Sequence, residues 1–232
     1  MNPFRRHHYD PENPETMDEE YLYRMRVKMV ERQIASRGIG NPRVLNAMLS
    51  VHRHLFVPGS MQDRAYDDSP LPIGDGQTIS QPYMVAWMTE LLNIRDTDRI
   101  LEVGTGSGYQ AAILCELSEK VFSIEKYSSL AAKAEERLNS LGYENVTIRV
   151  GDGSLGWPEE APFDGIIVTA GSPAVPEPLI EQLSDGGRLV IPVGPSGMQM
   201  LTLVRREGAK YITREEGSCV FVPLVGKFGW RR

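Results

Sequence analysis

The sequence predicts an α/β fold: a mostly parallel sheet with helices on both faces and an antiparallel hairpin added at its C-terminal end. Three observations predict it. From residue 99 onward short apolar runs alternate with segments of helical period, the pattern of a parallel sheet covered on both sides. A glycine-rich turn, EVGTGSGYQ (102–110), lies between one such run and one such helix. The tail from 200 to 226 has no helical period and carries Glu207-Gly208 between two strand-like runs.

The chain of 232 residues is long enough to bury a sizeable core, and 41% hydrophobic with 24% charged residues excludes a disordered or fibrous protein. We read a mobile N-terminal arm at 1–17 and a single domain at 18–232, with helices and a covering segment at 18–93 and the sheet core at 94–232. The arm is rich in Pro and charge and lacks periodicity. His7 and His8 within it have neither Cys nor spaced carboxylates nearby, so no metal role is expected. Nothing resembles a signal peptide, and no apolar run approaches the ~20 residues of a membrane span. A cytoplasmic protein without membrane contact is expected. Cys115 and Cys219 suit neither a disulfide framework nor a CxxC metal site and are expected buried and reduced. A net charge of -6 argues against a broad nucleic-acid footprint. No nucleic-acid partner is expected, and the protein is read as a monomer.

Leu22, Met25, Met29, Val30 and Ile34 recur at helical spacing, with Arg37-Gly38 as a stop. A second helix spans 41–51, with Asn41 as N-cap and Pro42 in its first position. PLPIG (70–74) reads as an apolar turn and DGQTISQPY (75–83) as a hydroxyl-rich segment bent at Gly76 and Pro82, leading into a helix over about 82–93. Strands follow at 99–104, 120–125, 145–153, 164–171 and 186–194, and helices at 108–117, 128–142 and 176–183.

The glycine turn points to a nucleotide ligand. Gly104, Gly106 and Gly108 allow close backbone approach, but the spacing is GxGxG, and the third position of the dinucleotide fingerprint falls on Tyr109. Glu125 ends the next strand 21 residues after the first glycine (125 minus 104), where an acid binding ribose hydroxyls belongs. Glu102 adds a carboxylate that would repel a pyrophosphate but pair through water with a cationic amino-acid group, which favours S-adenosylmethionine over NAD. Asp152, after the third strand, is placed to accept from an adenine amino group. Each acid has a plain reading as a solvated strand end or turn; three in order at successive strand ends argue for a site.

These residues and their surroundings resemble the protein-L-isoaspartate O-methyltransferases, S-adenosylmethionine enzymes that repair damaged aspartyl and asparaginyl sites. The resemblance rests on AYDDSPLPIGDGQTISQPYMVAWMTELL (65–92), LEVGTGSGYQAAIL (101–114), PFDGIIVTAG (162–171), GGRLVIPVG (186–194) and FVPLVG (221–226). The first block is specific to that family, whereas the glycine turn is shared by many methyltransferases. It implies a seven-stranded Rossmann-like methyltransferase fold and methylation of the α-carboxylate of L-isoaspartyl residues in proteins and peptides, with S-adenosyl-L-homocysteine as product and no metal. The ester then cyclises to a succinimide, which opens in part to normal aspartate. By matched motif, Ser80 corresponds to the active-site serine. Thr78, Ile79, Glu102, Gly104, Thr105, Gly106, Gly108, Glu125, Lys126, Asp152 and Gly153 correspond to cofactor positions, and Ser80, Gln81, Thr169, Ala170 and Val193 to the substrate groove.

A carboxylate of unperturbed pKa near ~4 arrives ionised at neutral pH, so the chemistry needs no general base. Positioning then carries the rate. Ser80 lacks the GxSxG elbow of a nucleophile, and neither His52 nor His54 comes with an orienting acid, so an orienting hydroxyl is expected. A start for the following helix is compatible with that role. The rival readings are a methyltransferase for a small molecule or RNA, a non-catalytic binding protein that keeps the pocket, and, less well supported by the glycine spacing, an NAD oxidoreductase. The 65–92 block disfavours the first rival and the intact set Ser80, Glu102 and Glu125 the second.

Overall fold

The apolar stripe beginning at Leu22 produces α1 (Glu19–Met29), capped by the Asp18 carboxylate, which accepts from Glu20 N at 2.9 Å. The computed structural model describes residues 18–231, and the expected arm with His7 and His8 lies outside them. Beyond α1 the same stripe continues through a π-helical turn (Val30–Ile34) and a 3-10 turn (Ala35–Arg37). Gly38, at φ +98, ends it at the expected stop. In α2 (Pro42–Ser50) the Asn41 side chain accepts from Arg43 N at 2.9 Å, with Pro42 in the first position as expected.

Residues 71–79 depart from the sequence reading. The apolar turn and the start of the hydroxyl-rich segment form a hairpin of β1 (Leu71–Gly74) and β2 (Gln77–Ile79), with Leu71 opposite Ile79. Its loop residues Asp75 and Gly76 have φ of +51 and +69, the paired positive values of the tight turn that Asp-Gly favours. The chain then enters α3 (Pro82–Leu92) with Pro82 in the first position.

The core follows as β3 (Arg99–Val103), α4 (Tyr109–Cys115), β4 (Lys120–Glu125), α5 (Ser128–Ser140), β5 (Val146–Val150), β6 (Phe163–Val168), α6 (Glu177–Glu181), β7 (Leu183–Val193), β8 (Gln199–Glu207) and β9 (Lys210–Cys219). The strand order is β5-β4-β3-β6-β7-β8-β9, parallel through β7 and antiparallel for the last two. This is the expected seven-stranded sheet with its terminal hairpin. The expected helix at 176–183 is shorter, because Leu183 already pairs with Phe163.

Period-two alternation places the core on both faces. Ile100, Val121, Ile167 and Val190 pack with Met48, Val85 and Ile113 on one side, while Leu101, Phe122, Ile166 and Leu189 pack with Trp157 and Leu179 on the other. That double burial is why these strands read as continuous apolar runs. Cys115 and Cys219 are free and buried, as expected. Among the described residues no helix is long and apolar enough to cross a membrane. β3 has β4 on one side and β6 on the other, so the order reverses there, and the crevice at its carboxyl end is where open α/β sheets bind ligands.

Candidate active site

The glycine turn leaves β3 at this reversal. Gly104, at φ +100, donates its N–H to Ile124 O at 2.8 Å, and a Cβ there would run into the Thr169 hydroxyl, which itself donates to Gly104 O at 2.7 Å. Gly106 N donates to Glu125 Oε2 at 2.8 Å, and Tyr127 N donates to Oε1 at 3.0 Å. Glu125 thus fixes the turn while each oxygen keeps further acceptor capacity. Gly108 begins α4 at φ +89, and a Cβ would meet Ala134 and Leu138 of α5 at 3.3–3.4 Å. It supplies the close helix packing that the GxGxG spacing left unassigned.

Over the turn lies a pocket. Its walls are the turn itself, Glu125 to Tyr127 after β4, Gly153 after β5, Thr169 and Ala170 after β6, the β1–β2 hairpin with Ser80, and residues 222–225. A groove adjoins it, bounded by Arg37, Gln81, Tyr83, Trp87 and 218–222. Thr78, Ser80, Thr169 and Val222 line both. At this junction Thr169 has committed its proton to Gly104 O, whereas the hydroxyls of Thr78 and Ser80 make no hydrogen bond among the described residues. In the groove the Arg37 guanidinium lies 3.6 Å from the Tyr83 ring centroid and pairs with Asp68, which also accepts from Gln81 Nε2 at 2.8 Å.

Beneath the turn sits a buried acid. Glu102 is wholly buried on β3, with Ser123 Oγ donating to its Oε2 at 2.5 Å and Thr105 Oγ1 a further 2.5 Å from that hydroxyl. Its Oε1 has no hydrogen-bond partner among the described residues. Burial pushes its carboxyl up to about 8, the Ser123 hydrogen bond opposes the rise and the charge of Glu125 adds to it. Asp152 behaves oppositely. Partial burial acts to raise its pKa, but hydrogen bonds from the Ser154 hydroxyl, Lys227 N (2.7 Å) and Ser154 N outweigh that and hold it below the ordinary value.

Residues 24–229 match the family model of the protein-L-isoaspartate(D-aspartate) O-methyltransferases. The chain belongs to that family. A protein-L-isoaspartate O-methyltransferase of Syntrophus aciditrophicus (strain SB) is 55% identical over 210 residues, 89% of this chain and 96% of that protein. One of Methanoculleus marisnigri is 55% identical over 216 residues, 93% and 98% of the two chains. Among solved structures, a protein-L-isoaspartate O-methyltransferase superposes with a TM-score of 0.81 at 29% identity, covering 88% of this chain and 67% of its own. A Plasmodium falciparum protein described under the same name, in complex with S-adenosyl-L-homocysteine, gives 0.74 at 27% identity, covering 85% and 97%. The chain is thus an O-methyltransferase of the isoaspartate family, with the family's Rossmann-like fold.

In this isoaspartate methyltransferase Thr78, Ile79, Ser80, Gly104, Thr105, Gly106, Glu125, Lys126, Gly153, Thr169 and Ala170 all line the pocket. Gln81 lines the groove. Four expected site residues stand elsewhere. Glu102 is sealed inside the sheet rather than facing water at a strand end, because period two turns it toward the core. Gly108 faces α5. Asp152 holds the C-terminal segment through Lys227 N and lies outside the pocket wall. Val193 packs into the core around Leu101 and bridges Ser172.

Sequence reading missed Tyr109, Gln110 and residues 222–225 in the pocket wall, and Tyr83 and Trp87 in the groove. The helical spacing of Tyr83 and Trp87 was available as a signal. The wall at 222–225 was not, because it depends on long-range contacts: Leu224 N donates to Gly171 O at 2.8 Å, and Phe228 N to Ser154 Oγ at 3.0 Å.

Proposed function

We propose that the pocket holds S-adenosylmethionine, that the groove holds the isoaspartyl segment of a damaged protein or peptide, and that methyl transfer takes place where they meet. The supporting observation is the sharing of Thr78, Ser80, Thr169 and Val222 by both depressions. The residues fit the cofactor. Glu125 retains acceptor positions for ribose hydroxyls after taking two backbone N–H groups, and Gly104 and Gly106 let a ligand approach the backbone of the turn closely. When bound, S-adenosylmethionine supplies a methyl group made electrophilic by its sulfonium.

The protein's own work is to orient and to exclude water. The substrate carboxylate is an anion at neutral pH, so no side chain has to remove a proton. Ser80, with an uncommitted hydroxyl proton, donates to that carboxylate, with Thr78 beside it. The hairpin and the segment at 222–225 flank the pocket, and Ser80 and Val222 border the junction, from which the bound reactants displace water. The product is the methyl ester, whose closure to a succinimide by the next backbone nitrogen, with loss of methanol, needs no further group from the enzyme. We read the protein as a monomer working in the cytoplasm on isoaspartyl chains, a setting consistent with two free cysteines.

Amide hydrogen exchange tests the assignment. S-adenosyl-L-homocysteine should protect residues 104–108 and 125–127, and an isoaspartyl peptide added to that complex should further protect 78–81 and 218–222. Peptide protection confined to another face would contradict it.

A further inference from the structure

The chemistry above leaves unused the largest fully buried side chain among the described residues, Arg53. It forms no ion pair there. Its guanidinium donates from Nε to Ala65 O at 2.7 Å and from Nη2 to Ser80 O at 2.8 Å, and lies 4.9 Å from the ring centroid of Tyr109. Nη1 is buried with no hydrogen-bond partner among the described residues. Burial draws its pKa down to about 10, which still leaves a cation at neutral pH. A buried, unpaired charge is costly to keep, and a Lys or Met would fill the space without the same fork of donors.

The contacts of that fork span the site. Ser80 carries the hydroxyl at the junction, and Tyr109 opens α4 directly after the glycine turn and lines the pocket. We infer that Arg53 is a positioning residue for methyl transfer: it grips the Ser80 carbonyl from below while stacking on Tyr109, and so fixes the substrate-side hydroxyl relative to the cofactor-side turn. This rests on the reading of the junction as the place of methyl transfer. Arg53 acts through Ser80 and touches neither reactant, so its effect belongs to alignment, to which in-line transfer is sensitive.

The test compares wild type, Arg53→Lys, Ser80→Ala and the double variant, reading kcat and KM with an isoaspartyl peptide, calorimetric affinity for S-adenosyl-L-homocysteine, and thermal unfolding. Arg53→Lys should lower kcat by about tenfold or more while homocysteine-product affinity stays within about twofold. The double variant should be no slower than Ser80→Ala alone by more than about twofold, since both changes remove one alignment. Wild-type kcat in Arg53→Lys, losses that multiply in the double variant, or a kcat loss matched by lost product affinity would overturn the inference. Should Arg53→Lys not fold, Arg53→Gln replaces it. Failure of both to fold would also overturn it, because the residue would then serve folding and not the site. A wild type that binds the product but methylates no isoaspartyl peptide would overturn the site reading and this inference together, whereas the other failures, with an active wild type, overturn this inference alone.

Discussion

Two residues at the site make opposite demands on a measurement. Ser80 is assigned to the substrate, so Ser80→Ala should cut methyl transfer by about tenfold or more while affinity for S-adenosyl-L-homocysteine changes little. Steady-state kinetics beside calorimetry check this, and equal turnover would remove the serine from the mechanism. Glu102 touches no substrate and instead ties stability to pH. A glutamate titrates near ~4.3 in an unfolded chain, and burial lifts the folded value to about 8. The folded state binds this proton more tightly, so the contribution is fully present below the unfolded value and lost as pH rises through the folded one. Glu102→Gln abolishes the titration. Urea unfolding without ligand should find wild type losing ground to the variant between about pH 5 and pH 8, by on the order of a few kcal/mol, with little change above. A difference that is flat across the range would contradict a neutral Glu102.

Two hairpins separate strain from function at the level of elements. Gly76 (φ +69) in the β1–β2 turn and Gly208 (φ +61) in the β8–β9 turn both leave open space where a Cβ would stand, so alanine brings backbone strain alone, roughly 1–2 kcal/mol each. Each should lower the unfolding midpoint by a few degrees. Only Gly76→Ala should also raise KM for an isoaspartyl peptide, because its hairpin carries Thr78 and leads into Ser80. An equal KM effect in Gly208→Ala would break that assignment. The two turns also differ in legibility. Glu207-Gly208 stands between two long strand-like runs and was predicted, whereas Asp75-Gly76 carries an equally strong turn signal beside strands of only four and three residues. Short strands give period two too few positions to register. Helix starts were readable where the cap lies within a few residues, as at Asn41-Pro42. The π-helical run after Met29 was not, since its apolar stripe is indistinguishable from that of the helix before it.

At the scale of the whole molecule, the fold was legible because parallel strands buried on both faces leave unbroken apolar runs. The glycine-turn side of the pocket was legible as well, because Gly104, Gly106 and Glu125 sit at the ends of successive strands in chain order. What escaped depends on distance in the chain. Asp152 accepts from Lys227 N, 75 residues on, and Arg53 reaches Ser80 across 27. Such pairings leave no local pattern. They nonetheless reach the residues at the junction, where the pocket and the groove share four of them. The proposed work of this junction is to transfer a methyl group to an isoaspartyl carboxylate. The most direct measurement incubates the protein with methyl-labelled S-adenosylmethionine and two peptides that differ only in carrying an aspartyl or an isoaspartyl linkage. Base-labile label confined to the isoaspartyl peptide is the predicted result; equal labelling of both, or of neither while the protein binds S-adenosyl-L-homocysteine, would contradict it.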